Sequence, residues 1–181
     1  MVRKKAGPVF TVPTPEPLPA ERDGQTWWME SAGRRLRLSN LDKVFWPQEG
    51  YTKGDLLAYY HNVAQRLLPY LRDRPLTMKR MPDGVEGPYF YEKNAPSHTP
   101  EWMPTCRVES EDDEARKGYN DFLIANDPAG LLFVVNLGAI EFHPLHSRCP
   151  TIEQPDYLFF DLDPFPPASF EDVLAVARHV R

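Results

Sequence analysis

An α/β (α+β) domain built on a central mixed sheet flanked by helices is the fold class this sequence predicts, on three observations. Segments of strand character, at Arg34–Leu38, Leu76–Met81 and Tyr89–Tyr91, are interleaved with segments of helical period instead of standing apart from them. Two helical segments open on capping residues, Thr52 with Asp55 and Asp127 before Pro128. The apolar run Tyr157–Phe160 ends in acids and is halted by Pro164, as a buried strand would be. No internal repeat is visible.

Composition bounds the class further. The 181 residues are 41% hydrophobic and 26% charged, which suits one compact domain or a domain plus a tail and excludes a mainly disordered chain. Twenty prolines, roughly twice the ordinary share of about 5%, predict many short elements joined by rigid turns. No run approaches the roughly 18 apolar residues of a membrane span, and the basic N-terminus lacks the apolar stretch of a secretory signal. The expectation is a cytoplasmic protein with no membrane partner. Cys106 and Cys149 stand far apart and outside any metal-ligand spacing, so both are expected to be ordinary thiols. The net charge of −5 is unevenly spread: residues 1–108 carry 16 Lys and Arg against 12 Asp and Glu, a net of +4, and residues 109–181 carry 5 against 14, a net of −9. That split suits a basic nucleic-acid face, and equally charges that solvate two faces, since the run from Glu109 to Glu114 supplies much of it.

Each element follows in order. Residues 1–24, rich in Pro, Lys and Glu and without apolar periodicity, predict a flexible lead-in that packs little, with the domain beginning near Gln25. Arg34–Leu38 alternates basic and apolar side chains as a half-buried strand does. Thr52 opens a helix with Leu56, Tyr60, Val63 and Leu67 on one face, fraying near Pro69. Leu76–Met81 and Tyr89–Tyr91 form a hairpin across the reversal Pro82-Asp83-Gly84. Asp127-Pro128 starts a helix through the apolar run Leu131–Ile140, which Glu141-Phe142-His143 leaves as a strand. Tyr157–Asp163 is a strand, and Ser169 with Asp172 caps a final helix through Val173, Leu174, Ala177 and Val180. A domain is expected to continue beyond Arg181, where that helix stops.

Side chains two apart on a strand point to one face, so Asp161 and Asp163 are expected to share one spot. Like charges this close call for a cation, and oxygen-only ligands suit Mg²⁺ or Mn²⁺. Two such ions would support an in-line phosphoryl displacement. The plainer alternative is a strand end with two solvated acids. Another is a haloacid-dehalogenase-like phosphatase, whose first acid is a nucleophile, but that class expects Gly and then Thr or Val where this chain has Pro164-Phe165.

Four segments taken in order narrow the choice: Ser39–Pro47 with Tyr51–Asp55, Lys79–Gly84 with Phe90–Lys93, Glu141–Pro144, and Phe160–Pro164. Together they resemble the polymerase domain of bacterial ligase D, a primase-polymerase-like nucleotidyltransferase, over roughly Arg34 to Arg181. The resemblance implies that Lys43 and Lys53 hold the 5′-phosphate of a recessed DNA end. It also implies that Phe90 and Tyr91 stack on the template, that Lys79, Arg80 and His143 face the incoming nucleotide, and that Asp161 and Asp163 are the catalytic metal ligands. On a strand, Phe90 and Tyr91 face opposite sides, so one of them is also a candidate core residue. Each lysine taken alone reads as a solvated surface charge, and His143 alone as structural.

What the resemblance further implies is a two-metal Mn²⁺ or Mg²⁺ site and partners of three kinds. These are DNA with a 5′-phosphate at a gap or break, an NTP or dNTP, and the repair proteins of double-strand breaks, an ATP-dependent DNA ligase and the Ku end-binding protein. The location it implies is bacterial or archaeal cytoplasm at the nucleoid. The family continues to a glycine- and lysine-rich phosphate segment and a third metal-binding aspartate, and neither occurs before Arg181. The expected function is therefore nucleotide addition to a DNA 3′-hydroxyl in non-homologous end joining. The alternatives are a non-catalytic module for 5′-phosphorylated ends and an inactive gene fragment.

Overall fold

In Arg34–Leu38 (β3) the two-residue alternation sends Leu36 and Leu38 into the core and leaves Arg35 and Arg37 in solvent. The computed structural model that shows this describes residues 16–110 and 118–180. β3 closes a three-stranded antiparallel sheet with Glu21–Asp23 (β1) and Thr26–Ser31 (β2), in the order β1-β2-β3. The ordered fold thus reaches back before Gln25: β1 pairs along β2, and Leu18 and Ala20 pack on the core. Composition could not show this, because β1 is held by its main-chain ladder and carries no apolar residue. Residues 1–15 of the expected lead-in, and most of the acidic run, lie outside the described residues.

Val44–Trp46 (β4) and Tyr51–Thr52 (β5) pair and lead into Lys53–Leu71 (α1). The expected capping box forms: Thr52 Oγ1 accepts from the Asp55 N–H at 3.2 Å, and the Asp55 carboxylate accepts from the Thr52 N–H at 2.7 Å. The helix does not fray at Pro69 but runs through it to Leu71. Proline there removes one ladder bond, and buried Leu71 anchors the last turn. α1 packs against Pro128–Asn136 (α2), whose cap Asp127 accepts from the Gly130 N–H at 2.8 Å and pairs with Arg34. Leu57, Leu131, Leu132 and Val135 are fully buried in the resulting core.

The main sheet comprises Leu76–Arg80 (β6), Phe90–Glu92 (β7), Thr105–Glu109 (β8), Tyr119–Leu123 (β9) and Ala139–Pro144 (β10). β6 is its hub. It pairs with β10, with β9 at Leu76, and with β7 from Met78 to Arg80; β8 adds beyond β9. The expected α/β (α+β) architecture forms, although its pairing is antiparallel in every described ladder rather than mixed. The β6–β7 hairpin is docked by Gly84, at φ +87°, where a Cβ would stand 2.8 Å from the Phe45 carbonyl oxygen. Val85 completes that contact by donating its N–H to the same oxygen at 2.9 Å.

Two further expectations are overturned. Tyr157–Asp163 forms no strand, and Phe159 and Phe160 are 65% and 53% exposed. An apolar run becomes a buried strand only when neighbours complete its ladder, and no strand among the described residues pairs with this one. Cys106 and Cys149 are not free thiols but a disulfide with Cα atoms 5.9 Å apart. The fold brings β8 to the 3-10 turn Cys149–Thr151 across 43 residues of chain, which spacing cannot reveal. Phe170–Val180 (α3) starts on the expected cap, Ser169 donating its N–H to Asp172 at 2.7 Å, and buries none of its residues.

Candidate functional site

Lys53 takes the first helical position of α1, where the capping turn aims its side chain back toward the end of β3. Its ammonium donates to the Ser39 carbonyl at 2.8 Å and the Ser39 hydroxyl at 3.3 Å, and the residue is only 5% exposed. Burial first, then the charges of Lys43 and Arg80, lower its pKa to about 8. Those three cations therefore share one field. Lys43 donates to the Pro82 carbonyl at 2.7 Å and pairs with Asp83, both in the loop that Gly84 docks on β4. Arg80 is braced from two sides, by the Leu137 carbonyl at 2.8 Å and Glu92 at 2.7 Å, with its guanidinium 5.2 Å from the Phe90 ring centroid. Lys43, Lys53 and Arg80 line a cavity of about 660 Å³ together with Asn40, Arg35 and Arg37. The first N–H groups of α1 are already donated, Lys53 to the Lys43 carbonyl, Gly54 to the Leu41 carbonyl and Asp55 to Thr52, so it is the clustered side-chain cations that suit a phosphate.

A second cluster occupies the other face of the sheet. A register shift between Ala139 and Glu141 sets Glu141 opposite Lys79, which in turn lies opposite Tyr91 on β7. Lys79 donates to Glu141 at 2.7 Å, and that bond raises the pKa of the lysine and lowers that of the acid. His143 stands 3.6 Å from the Glu141 carboxylate, with its ring 5.6 Å from that of Tyr91. Tyr89 adds a face 4.8 Å from the Lys79 ammonium. A cation, an imidazole and two exposed tyrosine rings can together meet a charged, planar ligand.

Lys79 and Arg80, expected at one nucleotide site, are thus on opposite faces, because consecutive residues of a strand alternate. Phe90 and Tyr91 alternate likewise, and neither is core: they are 45% and 56% exposed.

Asp161 and Asp163 are exposed on an irregular segment, and neither makes a hydrogen bond or ion pair among the described residues. Because that segment is not a strand, the expected sharing of one strand face by the two acids does not form. Among the described residues no group of three His, Cys, Asp or Glu side chains could hold a metal ion. The base of the segment, by contrast, is fixed. Asp156 accepts from Arg74 at 2.6 Å and from Arg148 at 2.8 Å, and these bonds, Arg74 first, hold its carboxyl below the ordinary carboxylate range. Buried Arg74 also lies 4.6 Å over the Tyr157 ring.

Sequence reasoning missed that Arg80 joins the lysine pocket, and it missed the anchor at Asp156. Alternation along β6 was a usable signal for the first. No local signal existed for the second, whose partners are 82 and 8 residues away.

A cationic cavity on one face of an antiparallel sheet and the Lys79–Glu141–His143 cluster on the other mark an α/β domain suited to anionic ligands, and comparison with known proteins specifies the family. The family model described as LigD, primase-polymerase domain, matches residues 52–181. The multifunctional non-homologous end joining protein LigD of Mycolicibacterium smegmatis is 33% identical over 157 residues, covering 86% of this chain and 20% of that protein. The bifunctional non-homologous end joining protein LigD of Bacillus subtilis is 30% identical over 130 residues, 72% of this chain and 20% of its own length. Among solved structures, the polymerase domain from Mycobacterium tuberculosis ligase D in complex with DNA superposes with a TM-score of 0.58 at 35% identity, covering 63% of this chain and 38% of that one. The chain belongs to the LigD primase-polymerase domain family. It spans about a fifth of the length of the curated relatives it matches.

Proposed function

We propose that the chain is the DNA-end-binding part of a primase-polymerase-like nucleotidyltransferase, which adds nucleotides to a DNA 3′-hydroxyl in double-strand-break repair by non-homologous end joining. The observation that carries this reading is the convergence of Lys43, Lys53 and Arg80 on one cavity, a site for the 5′-phosphate of a gap or break. Lys79 and His143, on the other face, take the NTP or dNTP, with Lys79 as the point charge for its phosphates. Phe90 and Tyr91, exposed on the strand between the two, offer ring faces to template bases. The chemistry is largely positioning and charge neutralisation, as in phosphoryl transfer generally.

Asp161 and Asp163 supply the oxygen donors that Mn²⁺ or Mg²⁺ prefers, and such an ion would neutralise charge on the triphosphate. Two carboxylates alone fall short of a coordination sphere. An ATP-dependent DNA ligase and Ku are the partners this function calls for, at the nucleoid in the cytoplasm.

The test is gapped DNA bearing a 5′-phosphate or a 5′-hydroxyl, titrated at fixed salt against the chain and its Lys43→Ala/Lys53→Ala variant. The phosphorylated form binds more tightly, and the double variant erases the difference. Equal affinity of the unaltered chain for both ends overturns the reading. Primer extension with Mn²⁺ and an Asp161→Ala control separates an enzyme from an end-binding module without turnover.

A further inference from the structure

The phosphate cavity does not stop at its lysines. Trp28, Arg35 and Arg37 line the same cavity, and all three belong to the N-terminal sheet, ahead of the residues that the family model matches. Register puts them on one face: Trp28 lies opposite Arg37, and Glu30 opposite Arg35, while Met29, Leu36 and Leu38 fill the core behind. The Arg35 guanidinium lies 4.5 Å from the centroid of the Trp28 ring, a cation stacked on an aromatic face.

Among the described residues, neither Arg35 nor Arg37 makes an ion pair, although Glu30 is Arg35's cross-strand neighbour. Arg34, by contrast, is spent on Asp127. Two exposed arginines without carboxylate partners, one stacked on tryptophan, form a surface complementary to a chain of phosphates and bases. The cavity supports this by its size. A volume of about 660 Å³ lies in the range of roughly 300–1,000 Å³ typical of sites for whole small molecules, and one phosphate fills only a fraction of it.

We infer that the β2–β3 hairpin is a platform for the DNA strand that bears the 5′-phosphate, with Arg35 and Arg37 gripping the phosphates that follow the terminal one and Trp28 backing Arg35. The inference rests on the proposed role of the lysine pocket, which fixes where that strand begins. A terminal phosphate held at Lys43 and Lys53 leaves its strand to emerge past the rim, and the two arginines occupy that rim.

The experiment measures the affinity of the full 181-residue chain for gapped DNA over a range of salt, with the 5′-phosphorylated strand varied from two nucleotides to a full duplex arm. Arg35→Gln/Arg37→Gln is compared with the unaltered chain and with Arg35→Lys/Arg37→Lys. For long arms, the glutamine variant lowers the slope of log affinity against log salt by about 1.8, two contacts at about 0.9 each. The lysine variant restores that slope. With the two-nucleotide strand all three proteins bind alike, and the preference for 5′-phosphate over 5′-hydroxyl is the same in all. An unchanged slope in the glutamine variant overturns the platform, as does loss of the 5′-phosphate preference in that variant, which would place the arginines inside the terminal-phosphate site. Failure of the pocket itself reads differently: the unaltered chain then shows no 5′-phosphate preference at all.

Discussion

The Lys53 ammonium, at the first helical position of α1, donates to the main-chain carbonyl of Ser39 at the end of β3 across 2.8 Å. The burial of that ammonium, with the charges of Lys43 and Arg80 beside it, couples the proposed phosphate grip to pH. Burial lowers the Lys53 pKa from 10.5 to about 8, so the unfolded chain holds this proton to higher pH than the folded one. Lys53 is therefore least favourable to stability below about pH 8, and that cost is relieved as pH rises toward 10.5. Phosphate binding runs the other way, because only the charged form attracts the dianion. The preference for 5′-phosphorylated DNA should hold steady up to about pH 8 and then decline by at most about tenfold per pH unit. Anisotropy titrations from neutral to alkaline pH check this, with Lys53→Met expected to show a small, pH-independent preference.

Glu141 competes with any anion for the Lys79 ammonium, which it binds at 2.7 Å. Replacing it by glutamine keeps the side chain's shape and removes its charge. Glu141→Gln should therefore bind a nucleoside triphosphate severalfold more tightly, as read by fluorescence titration. Lys79→Ala should weaken binding, and Glu141→Gln in the Lys79→Ala background should recover less than it gains alone.

The Cys106–Cys149 bridge closes a loop of 43 residues and ties the turn before Asp156 to the sheet. Cross-linking a loop of that length restricts the unfolded chain, and its loss is expected to cost roughly 2–4 kcal/mol. Urea unfolding with and without a thiol reductant measures it, and Cys106→Ala/Cys149→Ala should show the reduced chain's midpoint under both conditions.

Leu57 is fully buried in the core that α1 shares with α2. Leu57→Ala should lose about 2–5 kcal/mol through lost burial and the cavity left behind. Val44, 46% exposed on β4, should tolerate alanine within about 0.5 kcal/mol in the same unfolding assay.

Local chemistry was readable from the sequence; long-range completion was not. The Thr52–Asp55 box, the Asp127 cap and the alternation of β3 depend on residues a few positions apart, and all three form. Tyr157–Asp163 has every local mark of a strand but no ladder partner among the described residues, and strand pairing cannot be read from one segment. β1 shows the reverse case, a strand without strand-like side chains that forms because β2 lies beside it. The lysine pocket was half legible: its motif named Lys43 and Lys53, while Arg80 joins them only because β6 turns alternate residues to opposite faces.

That alternation makes the length of β6 a stricter constraint than its composition. A substitution at Lys79 or Arg80 impairs one face and leaves the other its cation. Deleting or inserting a single residue between Leu76 and Lys79 would instead turn both side chains over together, carrying the arginine to the face of Glu141 and the lysine toward Lys53. Met78, fully buried beneath the sheet, would be driven toward solvent in the same movement. Descendants of this sequence should thus show exchanged residues in β6 far more readily than gained or lost ones.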